Sequence, residues 1–393
     1  MTLASSPLVF GLQQQFQKPE IAATATFVMA ALITNLIVPK VRALGLRWGL
    51  TDRPDPRKQH NAPMVRLGGI AMVLGFCLAL AVTWLFGGFG LLAPAKDQLI
   101  WSSLAGGLCL FVIGLADDLF SLSPWPRLAA QLAVALAVWS QGVRIGSIEQ
   151  SWFGGEGYSL ALPDWLSLVA TVIWLVGITN AINWLDGLDG LAAGVAGIAA
   201  VGLVSVSFSL HQVAAGFLAA ALAGCCLGFL RHNFNPARIF MGDGGSYFLG
   251  FTLAAISIVG PAKGLTTVSL LLPLLILSLP LADMSAVIMG RLREGRSPFY
   301  PDRRHLHHRL LRAGFSHRRT VVLIYVFTQW LASLALVMAN AEMRFLWLAL
   351  ATAILVVTLV ISRRSRGGES RRQDPQSPSA APADLQVSNR DDG

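Results

Sequence analysis

Two amides and two carboxylates sit at the edge of an otherwise apolar run in the stretch Asn180-Ala-Ile-Asn183-Trp-Leu-Asp186-Gly187-Leu-Asp189-Gly190. Ionisable groups near a bilayer are costly enough that their default reading is functional. On a helix Asn180, Asn183 and Asp186 stand three apart and share a face, while Gly187 and Gly190 let a ligand or another backbone approach closely. Such a set suits a metal or a phosphate; the plain alternative is a polar turn between two helices.

Three further stretches carry residue types of the same kind. Asp117 and Asp118 are adjacent carboxylates at the end of an apolar segment, with Arg127 following them. Neighbouring carboxylates repel unless a cation or a shared proton relieves them, so the pair points to a divalent metal or a general base of raised pKa. The run Arg231-His232-Asn233-Phe-Asn235-Pro236-Ala-Arg238-Ile-Phe240-Met-Gly242-Asp243-Gly244-Gly245-Ser246 opens another apolar segment. Glycines beside an aspartate at a helix N-terminus expose N–H groups to a phosphate, and the carboxylate can hold the compensating metal. Last, Arg303-Arg304-His305-Leu-His307-His308-Arg309 sets three histidines among arginines. The arginines disfavour a metal cation there and favour an anion, hence a phosphate or sugar contact rather than zinc. Asp283 is either catalytic or a structural partner for a basic residue.

The elements that must position these groups are membrane helices. The 393 residues are 54% hydrophobic and 13% charged, with a mean hydropathy of +0.60. Apolar runs long enough to cross a bilayer recur along the whole chain. They predict an all-α, polytopic membrane protein of about eleven transmembrane helices, near 20–41, 68–88, 98–116, 125–141, 164–180, 188–209, 212–230, 244–261, 266–289, 320–339 and 344–362. Residues 1–19 form a short external N-terminus without a cleavable signal, 20–362 the transmembrane domain, and 363–393 a polar cytoplasmic tail of disordered composition. The four cysteines lie inside apolar runs and form neither a disulfide framework nor a zinc spacing.

The net charge of +9 could invite nucleic acid, but its distribution argues otherwise. With the N-terminus outside, one side holds only Lys18, Lys96, Arg144, Lys263 and Arg344 of the 30 lysines and arginines. The positive-inside rule then makes the other side cytoplasmic. That side carries the basic, proline-stiffened loop around Arg53, Arg57, Lys58 and Arg66, and every stretch singled out above. A transporter of an anionic solute, the rival from another class, would place ionisable groups near the bilayer midplane. Here they gather at helix ends, which suits an enzyme joining a soluble anionic substrate to a lipid at the interface.

Five motifs in order carry a family resemblance over residues 51–310: Arg66-Leu-Gly-Gly69, Asp117-Asp118, Asn180 to Gly190, Met241-Gly-Asp-Gly-Gly-Ser246, and Ser297-Pro-Phe-Tyr-Pro-Asp-Arg-Arg-His-Leu-His-His308. The chain resembles the polyprenyl-phosphate N-acetylhexosamine-1-phosphate transferases, in particular the bacterial undecaprenyl-phosphate N-acetylglucosamine-1-phosphate transferase branch. The resemblance implies transfer of a sugar 1-phosphate from a UDP-sugar to a polyprenyl phosphate with release of UMP, dependent on Mg²⁺ or, as a substitute, Mn²⁺. It implies Asn183 and Asp243 as metal ligands, and Asp117, Asp118 and Asp186 as catalytic carboxylates, Asp117 or Asp118 taking the lipid phosphate's proton. It further implies substrate contacts from Arg127, Gly187, Asp189, Phe240, Arg304, His305, His307 and His308. Ser121 departs from the Asn or Asp of many members. The His-Leu-His-His order departs from three consecutive histidines and so from the muramoyl-pentapeptide branch, which is the alternative activity. An inner-membrane location with a cytoplasmic site follows, and a homodimer is admitted.

Overall fold

The computed structural model describes residues 18–52, 64–91, 94–150, 158–259, 265–266, 273–297, 304–339 and 343–370. Its helices are α1 (Pro19–Arg47), α2 (Gly68–Leu85), α3 (Pro94–Phe120), α4 (Pro124–Ser140), α5 (Asp164–Leu185), α6 (Leu191–Ser209), α7 (Val213–Asn233), α8 (Gly242–Val259), α9 (Ser278–Arg293), α10 (Leu306–Arg312), α11 (His317–Met338) and α12 (Arg344–Ser370). Eight of these, namely α1, α2, α3, α5, α6, α7, α11 and α12, are long and apolar enough to cross a membrane. The remaining expected spans coincide with α4, α8 and α9, of 17, 18 and 16 residues. The chain is an all-α, multi-pass membrane protein.

Among the described residues the strands form one two-stranded and one three-stranded sheet, all short. β1 (Thr51–Asp52) meets β2 (Met64–Val65) antiparallel, Thr51 opposite Val65. β3 (Ser147–Gln150) pairs antiparallel with β4 (Tyr158–Ala161) and parallel with β5 (Leu265–Thr266). The helix expected over 266–289 therefore differs from the one observed: Thr266 is in a strand, residues 273–276 are helical, and after a turn at Leu277 α9 runs on to Arg293. Pro280 supplies a physical reason, since it has no N–H to donate and its ring crowds the preceding turn. At the other end, α12 continues past 362 to Ser370.

Helix α8 is the centre of the bundle. Nearly every residue from Gly244 to Val259 is buried, and α2, α3, α5, α6 and α7 all pack on it. Burial on all sides explains why its sequence lacks a polar face. By contrast α12 leaves Ile354, Val356, Val357 and Val360 exposed, as a helix bordered by lipid does. Helices α3, α5, α7 and α9 end, and α2, α6, α8 and α11 begin, at one end of the bundle, where the polar stretches of the sequence meet.

Candidate active site

The N-terminus of α8 organises this end. Gly242 opens the helix with a left-handed φ of 77°, and a side chain there would collide with the Arg66 carbonyl and the Asp118 carboxylate. Gly114 in α3 lies so close to the Asp243 carbonyl that an added Cβ could be accommodated only by moving backbone. Asp118 then reaches across from α3. Its Oδ1 accepts from the Asp243 N–H at 2.9 Å and its Oδ2 from the Gly244 N–H at 3.0 Å. This carboxylate caps a helix that is not its own, satisfying two orphan donors at the positive end of the dipole. Of the two adjacent acids, Asp118 therefore has both oxygens engaged in holding Asp243 in place.

Asp117 turns the other way. Its Oδ1 accepts from the Leu122 N–H at 2.7 Å, and its Oδ2 forms a short ion pair with Arg127 on α4. The same Arg127 Nη1 lies 3.8 Å from Asp243 Oδ2 and 3.4 Å from the Tyr247 hydroxyl. Its Nε is buried with no hydrogen-bond partner among the described residues. From α5, the Asn183 amide donates to Asp243 Oδ1 at 2.8 Å and to Ser246 Oγ at 2.9 Å. Asp117 and Asp243 thus flank one guanidinium, with Asn183 on the other oxygen of Asp243.

These side chains fit a hard divalent cation. The donors are a carboxylate and a carboxamide oxygen with a second carboxylate alongside, all oxygen ligands. Among the described residues no group of three His, Cys, Asp or Glu forms a ready-made cage. Mg²⁺ takes one or two protein carboxylates and completes its shell with water and substrate phosphates.

The α5–α6 turn forms the neighbouring wall. Asp186 follows the last residue of α5, and among the described residues its carboxylate has no hydrogen-bond partner. Burial pushes it up to about 7, with Asp118 and Asp189 adding to the rise and Arg66 opposing it. Gly187 is where His307 arrives: an added Cβ would lie 2.6 Å from its Nε2. Asp189 points away from this wall into the α7–α8 loop, where its Oδ2 accepts from Asn235 Nδ2 at 2.9 Å and the Ala237 N–H at 3.0 Å. Phe240, on that loop, is half-buried, with its N–H donated to the Val65 carbonyl and its own carbonyl accepting from Gly68.

The histidine motif packs over the turn. Asp283 on α9 accepts from the Leu306 N–H at 2.7 Å, capping α10, and lies 2.9 Å from His305 Nδ1. The structural option for Asp283 is the one observed. His305 stands edge-on to Trp184, ring centres 6.0 Å apart, and stacks on His307 at 5.8 Å; His308 follows at 4.3 Å. His307 is 1% exposed, and neither of its nitrogens has a partner among the described residues. Burial, then the neighbouring His308 and His305, lower it to about 3, so at neutral pH the ring is uncharged. Arg304 pairs with Glu294 at 2.6 Å, so part of its charge is met within the protein.

The structure brings Asp117, Asp118, Arg127, Asn183, Asp186, Gly187, Asp243 and the three histidines together. It directs Asp189 and Arg304 partly to other protein groups. Residues 53–63 and 298–303, with much of the basic loop and Arg303, lie outside the described residues. Two supporting groups carry no signal of their own in the sequence. Tyr247 follows the Met241 to Ser246 motif in a run read as helical. Arg291 is buried at 5.1 Å over the Trp184 ring; nothing local in the sequence pairs these two. Ser121 has a φ of 52°, a left-handed backbone that Asn and Asp tolerate better than most residues.

Comparison with known proteins gives a consistent picture. A family model described as glycosyl transferase family 4 matches residues 100–261. The probable undecaprenyl-phosphate N-acetylglucosaminyl 1-phosphate transferase of Bacillus subtilis (strain 168) is 32% identical over 337 residues, 86% of this chain and 90% of the relative. The decaprenyl-phosphate N-acetylglucosaminephosphotransferase of Mycolicibacterium smegmatis is 36% identical over 371 residues, 86% and 88% of the two chains. The undecaprenyl-phosphate alpha-N-acetylglucosaminyl 1-phosphate transferase of Escherichia coli (strain K12) is 29% identical over 335 residues, covering 84% and 87%.

Proposed function

The chain belongs to the polyprenyl-phosphate N-acetylhexosamine-1-phosphate transferase family, and from that premise we propose that it moves N-acetylglucosamine 1-phosphate from a UDP-sugar to undecaprenyl phosphate, releasing UMP. The observation that carries this is the meeting of Asp117, Asn183, Asp243 and Arg127 at the same end of the bundle as Asp186 and the histidine motif. Sugar-phosphate transfer needs charge neutralisation, a nucleophilic phosphate oxygen and a held leaving group. Among the described residues the Arg127 Nε and both ring nitrogens of His307 are buried without a hydrogen-bond partner, and buried polar groups are normally hydrogen-bonded, so an anionic, hydroxyl-rich substrate would supply what they need.

Asn183 and Asp243 would hold Mg²⁺, which when bound would neutralise the diphosphate and the departing UMP. Asp118 fixes the backbone of Asp243 through its N–H. Arg127, tied to Asp117, would face a phosphate. Of the three candidate carboxylates, Asp186 is best suited to take a proton from the lipid phosphate. Both oxygens of Asp118 already accept backbone N–H groups, Asp117 is held by Arg127, and Asp186, with no hydrogen-bond partner among the described residues, is pushed up by burial to about 7, where a general base works best. The uncharged His307, edge-on to the Gly187 backbone, would contact the sugar-nucleotide side. The site is cytoplasmic in this reading, at the basic end of the bundle, in the plasma membrane.

The test is a membrane assay with radiolabelled UDP-GlcNAc and undecaprenyl phosphate, with and without Mg²⁺. Metal-dependent formation of a lipid-linked product with stoichiometric UMP is expected. UMP release only with a different UDP-sugar would overturn the sugar assignment, and undiminished turnover in chelator would overturn the metal.

A further inference from the structure

Gly190 closes the α5–α6 turn with a φ of 80°, and side chains from two other helices take both of its backbone groups. Its N–H donates to Asn233 Oδ1 at 3.0 Å. Its carbonyl accepts a short hydrogen bond from the hydroxyl of Tyr325 on α11. Asn233, the last residue of α7, is 3% exposed, and its Nδ2 donates to the Ile239 carbonyl at 2.9 Å, one residue before Phe240. A second tie runs alongside through Asp189, Asn235 and Ala237, and Arg318 on α11 donates its Nε–H to the Asn235 carbonyl at 3.0 Å.

The turn bearing Asp186 and Gly187 and the loop leading to Phe240 and Asp243 are both irregular, so neither fixes its own distance from the other. A carboxamide can do so because it is donor and acceptor at once; Asp or Leu of similar size offers one function or none. We infer that Asn233 is a positioning residue for the sugar nucleotide: it sets the spacing between these two segments, and Tyr325 braces the turn against α11 as a second strut. Asn233 lies behind the site and touches no reacting group. The inference rests on the sugar-nucleotide reading of the site.

The experiment uses the full-length protein in detergent, comparing wild type with Asn233→Asp, which keeps the size but loses the donor, and Tyr325→Phe, which removes only a hydroxyl. Losing a buried hydrogen bond should raise the KM for UDP-GlcNAc by roughly ten-fold in Asn233→Asp and by about three-fold in Tyr325→Phe. The KM for undecaprenyl phosphate should stay put, kcat should change less than the nucleotide KM, and UMP affinity by calorimetry should weaken in the same order. Equal movement of both KM values, or a fall in kcat with UMP affinity intact, would overturn the positioning role. If Asn233→Asp fails to fold, Tyr325→Phe decides alone. Wild type that neither binds UMP nor turns over UDP-GlcNAc sinks the functional reading and this inference with it. Wild type that does both while the variants match it sinks this inference only.

Discussion

At the scale of single residues, carboxylates that look alike in the sequence separate by what they accept. Asp117, Asp118, Asp186, Asp189 and Asp243 are five acids in three motifs, and the sequence assigns all of them to one anionic site. Hydrogen-bond partners divide them: Asp118 and Asp189 receive backbone N–H groups from distant segments, which no spacing rule reveals. Asp186 has no hydrogen-bond partner among the described residues and is pushed up to about 7 by burial. It holds its proton below that pH and releases it above, so kcat should rise with pH between 6 and 8. Asp186→Asn should flatten that rise and cost about 10²-fold in turnover; a variant with a wild-type pH profile would rule out Asp186 as the base. The same shift has a stability consequence. The folded protein holds the proton where the unfolded chain has lost it, so stability drains away as pH climbs from 3.8 to about 7. Asp186→Asn should therefore melt higher than wild type at pH 8 while working more slowly. Ser121 is a simpler case. Its positive φ is a backbone state that costs a non-glycine residue about 1 kcal/mol, less for Asn, so Ser121→Asn should raise the melting temperature by roughly 1–3 °C without changing the metal requirement. A melting temperature that stays put or falls would remove the backbone account of this position.

At the scale of elements, the helices were legible because apolar runs and their polar ends are local properties. The breaks between them were less so. The run expected as one helix over 266–289 is split around Leu277 and Pro280, and a hydropathy window averages over a break of that size. Contacts between elements are beyond reach for the same reason: the sequence offers Asp283 two roles, and its meeting with His305 and the Leu306 N–H shows the structural one. That meeting holds α10 over the site, so Asp283→Ala should loosen the histidine motif. The expected result is a KM for UDP-GlcNAc raised by about ten-fold, as the loss of a cap and a charge-assisted hydrogen bond would allow, while the polyprenyl phosphate KM is kept. An unchanged nucleotide KM would show that α10 docks without it. Packing at the start of α8 sets a stricter limit. Gly114 faces the Asp243 carbonyl too closely for any side chain, so Gly114→Val should push α3 off α8 and lower both yield and metal-dependent turnover. If the purified variant keeps normal turnover, the contact is not rigid.

At the scale of the whole molecule, charge placement and site placement agree. Reading loops alternately across eleven helices put nearly all lysines and arginines on one side, and helix directions bring the acidic and histidine motifs to one end of the bundle, where Arg42 donates its Nε–H to the Arg238 carbonyl. The same alternation of helices carries the basic loops and the motifs to that end. A basic face at the inner leaflet would attract an anionic lipid phosphate and a sugar nucleotide together, so orientation in the membrane belongs to the function. It can be measured directly. In a cysteine-free background, Ser297→Cys lies just past α9 at the site end and Gln141→Cys just past α4 at the opposite end. A membrane-impermeant maleimide applied to intact spheroplasts should label Gln141→Cys and leave Ser297→Cys untouched until the membrane is opened. The reverse pattern would invert the topology and place the site where no cytoplasmic nucleotide could reach it, overturning the sugar-nucleotide reading whatever the side-chain geometry.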